Sequence, residues 1–162
     1  MNIQFILNGD DIQMTVDPAD RLADLLKRKS LADSVHVNCG LGSCGRCMVI
    51  CNGRPANACM IPAFQLRNAE IITYEGLVQT PEFLLIEKAC AQHGLELCQF
   101  CKPSVYLLLA VLLEQHNRPS GDDIRQLLSA VNCRCSASED IFTVAAAVYH
   151  LKEGRFNGHA GK

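Results

Sequence analysis

From Asn2 to Leu7 polar and apolar positions alternate, which puts Ile3, Phe5 and Leu7 on one face of an extended strand. Asn8-Gly9 follows, a pair suited to the left-handed turn of a tight hairpin, and Ile12, Met14 and Val16 carry the alternation back. The period then changes. Asp17-Pro18 reads as an N-cap followed by Pro in the first helical position, predicting a helix from about Ala19 to Lys29 with Leu22, Leu25 and Leu26 facing a core. Strand character returns at Met48–Ile50, Asn52-Gly53 marks another turn, and Ile71–Tyr74 reads as a last strand. A hairpin, a helix laid across it and further strands predict a β-grasp domain over residues 1–77.

Beyond Glu75-Gly76-Leu77 the period is helical. Thr80-Pro81 opens a helix with Phe83, Ile86, Cys90 and Leu97 along one side, and Pro103 opens a second that runs through Leu113. Ser120 caps a third, with Ile124, Leu127, Leu128 and Val131 inward. Ser136-x-x-Glu139 reads as a capping box before a fourth, whose stripe is Ile141, Val144, Ala145 and Val148. The expected class is α+β: the β-grasp followed by a four-helix bundle over 78–153, with a flexible glycine-bearing tail at 154–162. No internal repeat is visible.

Composition narrows the function. The 162 residues are 49% hydrophobic and 20% charged, with a formal charge of −2. No net positive field exists to displace counterions from phosphates, which argues against a nucleic-acid partner. The Lys27-Arg28-Lys29 run ends a helix, where cations suit the dipole. The apolar stretch Val105–Leu113 stops at Glu114, too short for a membrane span. No secretory or twin-arginine leader is read at Met1, so a reducing cytoplasmic setting is expected. The five histidines, His36, His93, His116, His150 and His159, are scattered and form no nucleophile or metal motif, so no residue is assigned a catalytic role.

The chemistry lies in the cysteines. Eight of ten fall into two sets: Cys39-x4-Cys44-x2-Cys47 with Cys59, and Cys98-x2-Cys101 with Cys133-x-Cys135. The first spacing is that of a plant-type ferredoxin. Three thiolates from one short loop need a tight fold. Gly40, Gly42 and Gly45 permit positive φ, and successive N–H groups in such a turn form an anion-binding concavity. Structural zinc and disulfides are the alternatives, but zinc ligands usually come as two short-spaced pairs rather than three plus one. The second set gains its weight from following the first. With eight thiolates and two oxidised [2Fe–2S] cores the loaded chain would stand near about −6. Cys51, in a strand, and Cys90, in a helix, read as ordinary buried thiols.

The run Cys39-Gly40-Leu41-Gly42-Ser43-Cys44-Gly45-Arg46-Cys47, with Cys59, Cys98, Cys101 and Cys133-Arg134-Cys135, resembles the small iron–sulfur subunit of the molybdenum hydroxylases, the xanthine dehydrogenase, aldehyde oxidoreductase and carbon monoxide dehydrogenase family. The likeness extends from Phe5-Ile6-Leu7-Asn8-Gly9 through Tyr74-Glu75-Gly76-Leu77 to the fourth helix. It implies a ferredoxin-like domain with a solvent-facing cluster and a helical domain with a second cluster. It also implies partner subunits bearing molybdopterin and FAD, between which electrons pass through both clusters. Departures surround the second set. Leu97 stands where the family has the Gln that faces the pterin, and Gln99, Lys102, Ser104, Ala137 and Ser138 stand for its Gly, Thr, Gly, Gly and Tyr. A stand-alone two-cluster ferredoxin, shuttling electrons without a molybdenum partner, is the second reading, and a structural zinc protein a third.

Overall fold

The structure, a computed structural model, describes residues 1–114 and 118–157, with side chains through Lys152. The architecture is α+β: a five-stranded mixed sheet in the order β2-β1-β5-β3-β4, followed by helices. Strand β1 (Asn2–Leu7) pairs antiparallel with β2 (Asp10–Thr15) and parallel with β5 (Glu70–Ile72). Strand β3 (Met48–Cys51) pairs antiparallel with both β4 (Arg54–Asn57) and β5. Both hairpin turns are left-handed as their sequences require, with φ of 53° at Asn8 and 49° at Asn52. The predicted face of β1 is buried: Ile3, Phe5 and Leu7 are all under 5% exposed.

The first helix and the last strand depart from the sequence reading. Helix α1 spans Leu22–Arg28 rather than starting near Ala19. The Asp17 carboxylate accepts from the Ala19 N–H at 2.8 Å, which closes a turn. Arg21 is then held extended in a bridge to Pro62, with Leu22 N–H donating to the Ile61 carbonyl and Ala63 N–H to the Asp20 carbonyl. The last strand ends at Ile72, and Tyr74–Leu77 form a one-turn helix, α2. Thr73 donates its N–H to the Asn8 side-chain oxygen at 2.8 Å, a side-chain bond in place of a ladder bond.

Helix α3 (Pro81–Gln92) is capped by the Thr80 hydroxyl, as expected, but ends before Leu97, which packs against the helical core from the following segment. Helix α4 (Lys102–Glu114) is buried from Pro103 to Leu113. It is enclosed by α3, α5 (Gly121–Leu128), α6 (Ser138–Asn157) and the sheet, so no polar face is needed. Helix α6 begins two residues after Ser136 and runs to Asn157, past the boundary expected at 153; the rest of the tail lies outside the described residues. Strand β3, between β5 and β4, serves two cores. Val49 joins the cluster under α1, while Met48 and Ile50 join the helical cluster around α4. The sheet is thus a shared wall between the two cores.

Candidate metal centres

The first loop connects α1 to β3. Its three glycines are all left-handed, with φ of 65° at Gly40, 73° at Gly42 and 72° at Gly45. This winds the chain around Cys39, Cys44 and Cys47, and the Leu41 N–H points at the Cys39 sulfur at 3.4 Å. Side chains from outside the loop fix its carbonyls: Arg21 donates to Gly40 O at 2.6 Å and Asn57 to Gly42 O at 2.9 Å. Cys59 arrives from a 3-10 turn, Ala58–Met60, directly after β4. The Ala58 N–H donates to the Cys47 carbonyl at 2.9 Å, tying that turn to the loop. Cys44 is a neighbour of both Cys39 and Cys47, and Cys59 of Cys47, so the four form one continuous group.

The second set forms where α4 starts and where α5 hands over to α6. The sulfurs of Cys98, Cys101 and Cys135 lie within 4.8 Å of one another, and Cys133 sulfur is 3.4 Å from that of Cys135. The Cys98 N–H points at the Cys135 sulfur at 3.3 Å. Beside the site, Lys102 pairs with Glu87 at 2.7 Å, and Glu87 also accepts from the Tyr106 hydroxyl at 2.8 Å.

The thiol chemistry suits a cationic core. The Leu41 N–H, helped by the Ser43 hydroxyl and Cys44, holds the Cys39 thiol down to about 5. Burial pushes Cys47 up to about 12, with Cys59 and Cys44 adding repulsion. In the second set burial, with Cys133 and Cys98 alongside, drives Cys101 up to about 12. Burial also raises Cys98 and Cys133, but N–H groups of Cys101 and Phe100, and of Cys135 and Ser136, outweigh it and lower both. Each set therefore mixes thiols ready to ionise with thiols that resist. A metal core removes the resistance, since a coordinating thiol is deprotonated outright. A second observation agrees. The buried side-chain nitrogen and oxygen atoms without a partner among the described residues are Arg46 Nε, Asn57 Oδ1 and Ser104 Oγ. Each belongs to a residue within three positions of one of these cysteines. The residues present fit an iron–sulfur group at both places.

The two loops touch. The Asn132 N–H donates to the Cys44 carbonyl at 3.2 Å, and a Cβ on Gly45 would stand 2.2 Å from the Ala130 carbonyl oxygen. His36 reaches across as well, its Nε2 3.3 Å from Gln99 O and its ring 5.0 Å from Phe100. Sequence reasoning missed Arg21, Asn57 and Asn132, because each acts through a long-range bond that spacing does not encode. Cys51 is half-buried at the end of β3, and Cys90 is buried in α3 beside Tyr106. Among the described residues no helix is long and apolar enough to cross a membrane.

The likeness to known proteins runs through both halves. A family described as a [2Fe-2S] binding domain matches residues 73–146. A probable xanthine dehydrogenase component from Bacillus subtilis is 32% identical over 88% of this chain and 82% of its own length. The nicotinate dehydrogenase small FeS subunit of Eubacterium barkeri is 32% identical over 84% of this chain and 87% of its own. The crystal structure of aldehyde oxidoreductase from Desulfovibrio desulfuricans superposes with a TM-score of 0.82 at 31% identity, covering 94% of this chain and 17% of that longer one. With the paired cysteine loops in place and relatives this similar along nearly the whole length, the chain belongs to the family of [2Fe–2S] electron-transfer subunits of the molybdenum hydroxylases.

Proposed function

We propose that this chain holds two [2Fe–2S] clusters, one on Cys39, Cys44, Cys47 and Cys59 and one on Cys98, Cys101, Cys133 and Cys135. It relays electrons from the molybdopterin centre of a large partner subunit to an FAD subunit or an external acceptor. In this reading residues 1–77 are a ferredoxin-like domain and 78–153 a four-helix-bundle domain, each with one cluster, working in the cytoplasm. The clusters, when bound, supply reversible one-electron transfer.

The observation that carries the reading is the hydrogen bond from Asn132 N–H to Cys44 O, which joins the neighbour of Cys133 to a residue of the first set. It makes a short path of covalent bonds and one hydrogen bond between the two cysteine groups. Gly45 keeps the path short, because any side chain there would push the loops apart. The Leu41 and Cys44 N–H groups point at the Cys39 sulfur in the first set, and α4 brings its N-terminal end to the second. In this reading substrate chemistry belongs to the partner.

Anaerobic purification from the native host tests this. About four irons and four sulfides per chain are expected, with a molybdenum-bearing subunit and an FAD subunit retained alongside. Stoichiometric zinc without visible charge-transfer absorption would overturn the cluster assignment. Full cluster content with no molybdenum-bearing partner would favour the stand-alone shuttle.

A further inference from the structure

Ser104 is 0% exposed, and its hydroxyl has no hydrogen-bond partner among the described residues. A hydroxyl buried without an acceptor is destabilising, so its presence asks for an explanation. The place of Ser104 in its helix points to the acceptor. Cys101 directly precedes α4, and its carbonyl accepts from the Val105 N–H at 3.0 Å, which makes Cys101 the N-cap and Ser104 the third helical residue. In a capping box the side chains at these two places face one another across the first turn; here no hydrogen bond joins Ser104 Oγ to the Cys101 sulfur itself. The next helix shows such a box: at α5 the N-cap Ser120 hydroxyl donates to Asp123, the third residue, at 2.7 Å. At α4 the same two places hold a thiol and a hydroxyl. Of the carbonyls around it, Cys98 O accepts from the N–H groups of Cys101 and Lys102, and Cys101 O from Val105.

We propose that the Ser104 hydroxyl donates a hydrogen bond to sulfur of the second cluster on the Cys101 side and raises that cluster's reduction potential. The inference rests on Cys101 being a cluster ligand. The physical reason is charge. Reduction adds an electron to a group that is already anionic, and a donor aimed at its sulfur stabilises the more negative form. The family pattern carries Gly at this position, so the bond would be particular to chains that have a hydroxyl here.

The test is a redox titration of the intact complex followed by electron paramagnetic resonance, on wild type, Ser104→Ala and Ser104→Gly. The signal lost in Cys135→Ser identifies the second cluster. Both Ser104 variants should keep two signals. In both, the second cluster becomes about tenfold harder to reduce, which for one electron is about 59 mV, and the first stays put. Unchanged potentials in variants that retain both clusters would overturn the proposal. So would equal shifts of both clusters, or loss of the second cluster in both variants, since one hydroxyl bond tunes a potential and does not hold the iron. If wild type itself lacked two cluster signals, the underlying two-cluster reading would have failed instead, and that is visible before any variant is made.

Discussion

The two cysteine sites solve one problem by opposite means. The first gathers three thiols within one loop, and left-handed glycines supply the curvature. The second joins residues far apart in sequence, with Cys98 and Cys135 separated by 37 positions, and relies on α4, α5 and α6 to bring them together. A site made within a loop depends on backbone conformation. A site made between helices depends on the core behind them. The first should therefore answer to changes at glycines and the second to changes in packing, and each can be broken without the other.

Ligand removal has the largest effect. Cys44→Ser and Cys101→Ser should each lower iron from about four to about two per chain, and each should abolish a different paramagnetic signal. Packing separates the sites further. Leu108 in α4 is fully buried in the helical cluster, so Leu108→Ala should cost about 2–5 kcal/mol. Iron analysis after mild thermal challenge should find the second site emptied first; simultaneous loss from both would deny that they are independently supported.

Gly45→Ala attacks the contact between them. The new Cβ would meet the Ala130 carbonyl oxygen at 2.2 Å and Val131 Cα at 2.8 Å, on a backbone held at φ 72°. Left-handed strain together with overpacking predicts a loss of about 2–4 kcal/mol, read as a lowered Tm. The loops must separate, and the Asn132–Cys44 bond should lengthen or break, so electron transfer between the clusters slows even where iron content survives. An unchanged transfer rate in the loaded variant would remove that bond from the path.

How much of this was legible beforehand follows the same division. The first hairpin, the glycine loop and the burial of β1 follow from local patterns, because their causes lie within a few residues of each other. The helical stripes of Ile86, Ile124 and Val144 were legible for the same reason, and all three are buried. What stayed hidden is long-range. The Arg21–Pro62 bridge shifted the start of α1, and Asn8 replaced a strand bond at Thr73. The second cysteine set was readable only from its place after the first and from the family resemblance, since nothing in a C-x2-C pair announces a C-x-C partner a helix and a loop away.

Glu75 tests one of these hidden ties at smaller scale. Its carboxylate accepts from Ser34 N–H at 2.8 Å, Ser34 hydroxyl at 2.8 Å and Thr73 hydroxyl at 2.6 Å, fastening α2 to the start of the first loop. Burial alone would raise its pKa, but these bonds outweigh burial and lower it. A folded pKa below the unfolded one gives stabilisation that is complete above about pH 4.3 and lost as pH falls through the folded value. Glu75→Gln should therefore cost about 1–2 kcal/mol at pH 7, and the gap to wild type should narrow below about pH 4. A gap that stayed constant down to pH 3 would mean the carboxylate's charge contributes nothing.

The smallest effect is expected at the rim of the second site, where sequence and structure disagree about Glu139. Spacing from Ser136 predicted that its carboxylate would close a capping box. In the structure α6 starts at Ser138, too late for that box, and Glu139 instead meets Arg125 of α5 at 3.0 Å. The two side chains are 52% and 70% exposed, so water and salt screen the pair and its contribution stays within about 0.5 kcal/mol. Arg125 also lies over the Phe142 ring at 4.1 Å and keeps that contact when the ion pair is lost. Glu139→Gln should thus shift Tm barely, leave both clusters loaded, and lose even its small effect at high ionic strength. A true capping box would behave differently: its loss would cost about 1 kcal/mol, survive added salt, and fray the start of α6 next to Cys135. Hydrogen exchange at the first amides of α6 distinguishes the two, and faster exchange there in Glu139→Gln would restore the capping role that the spacing suggested.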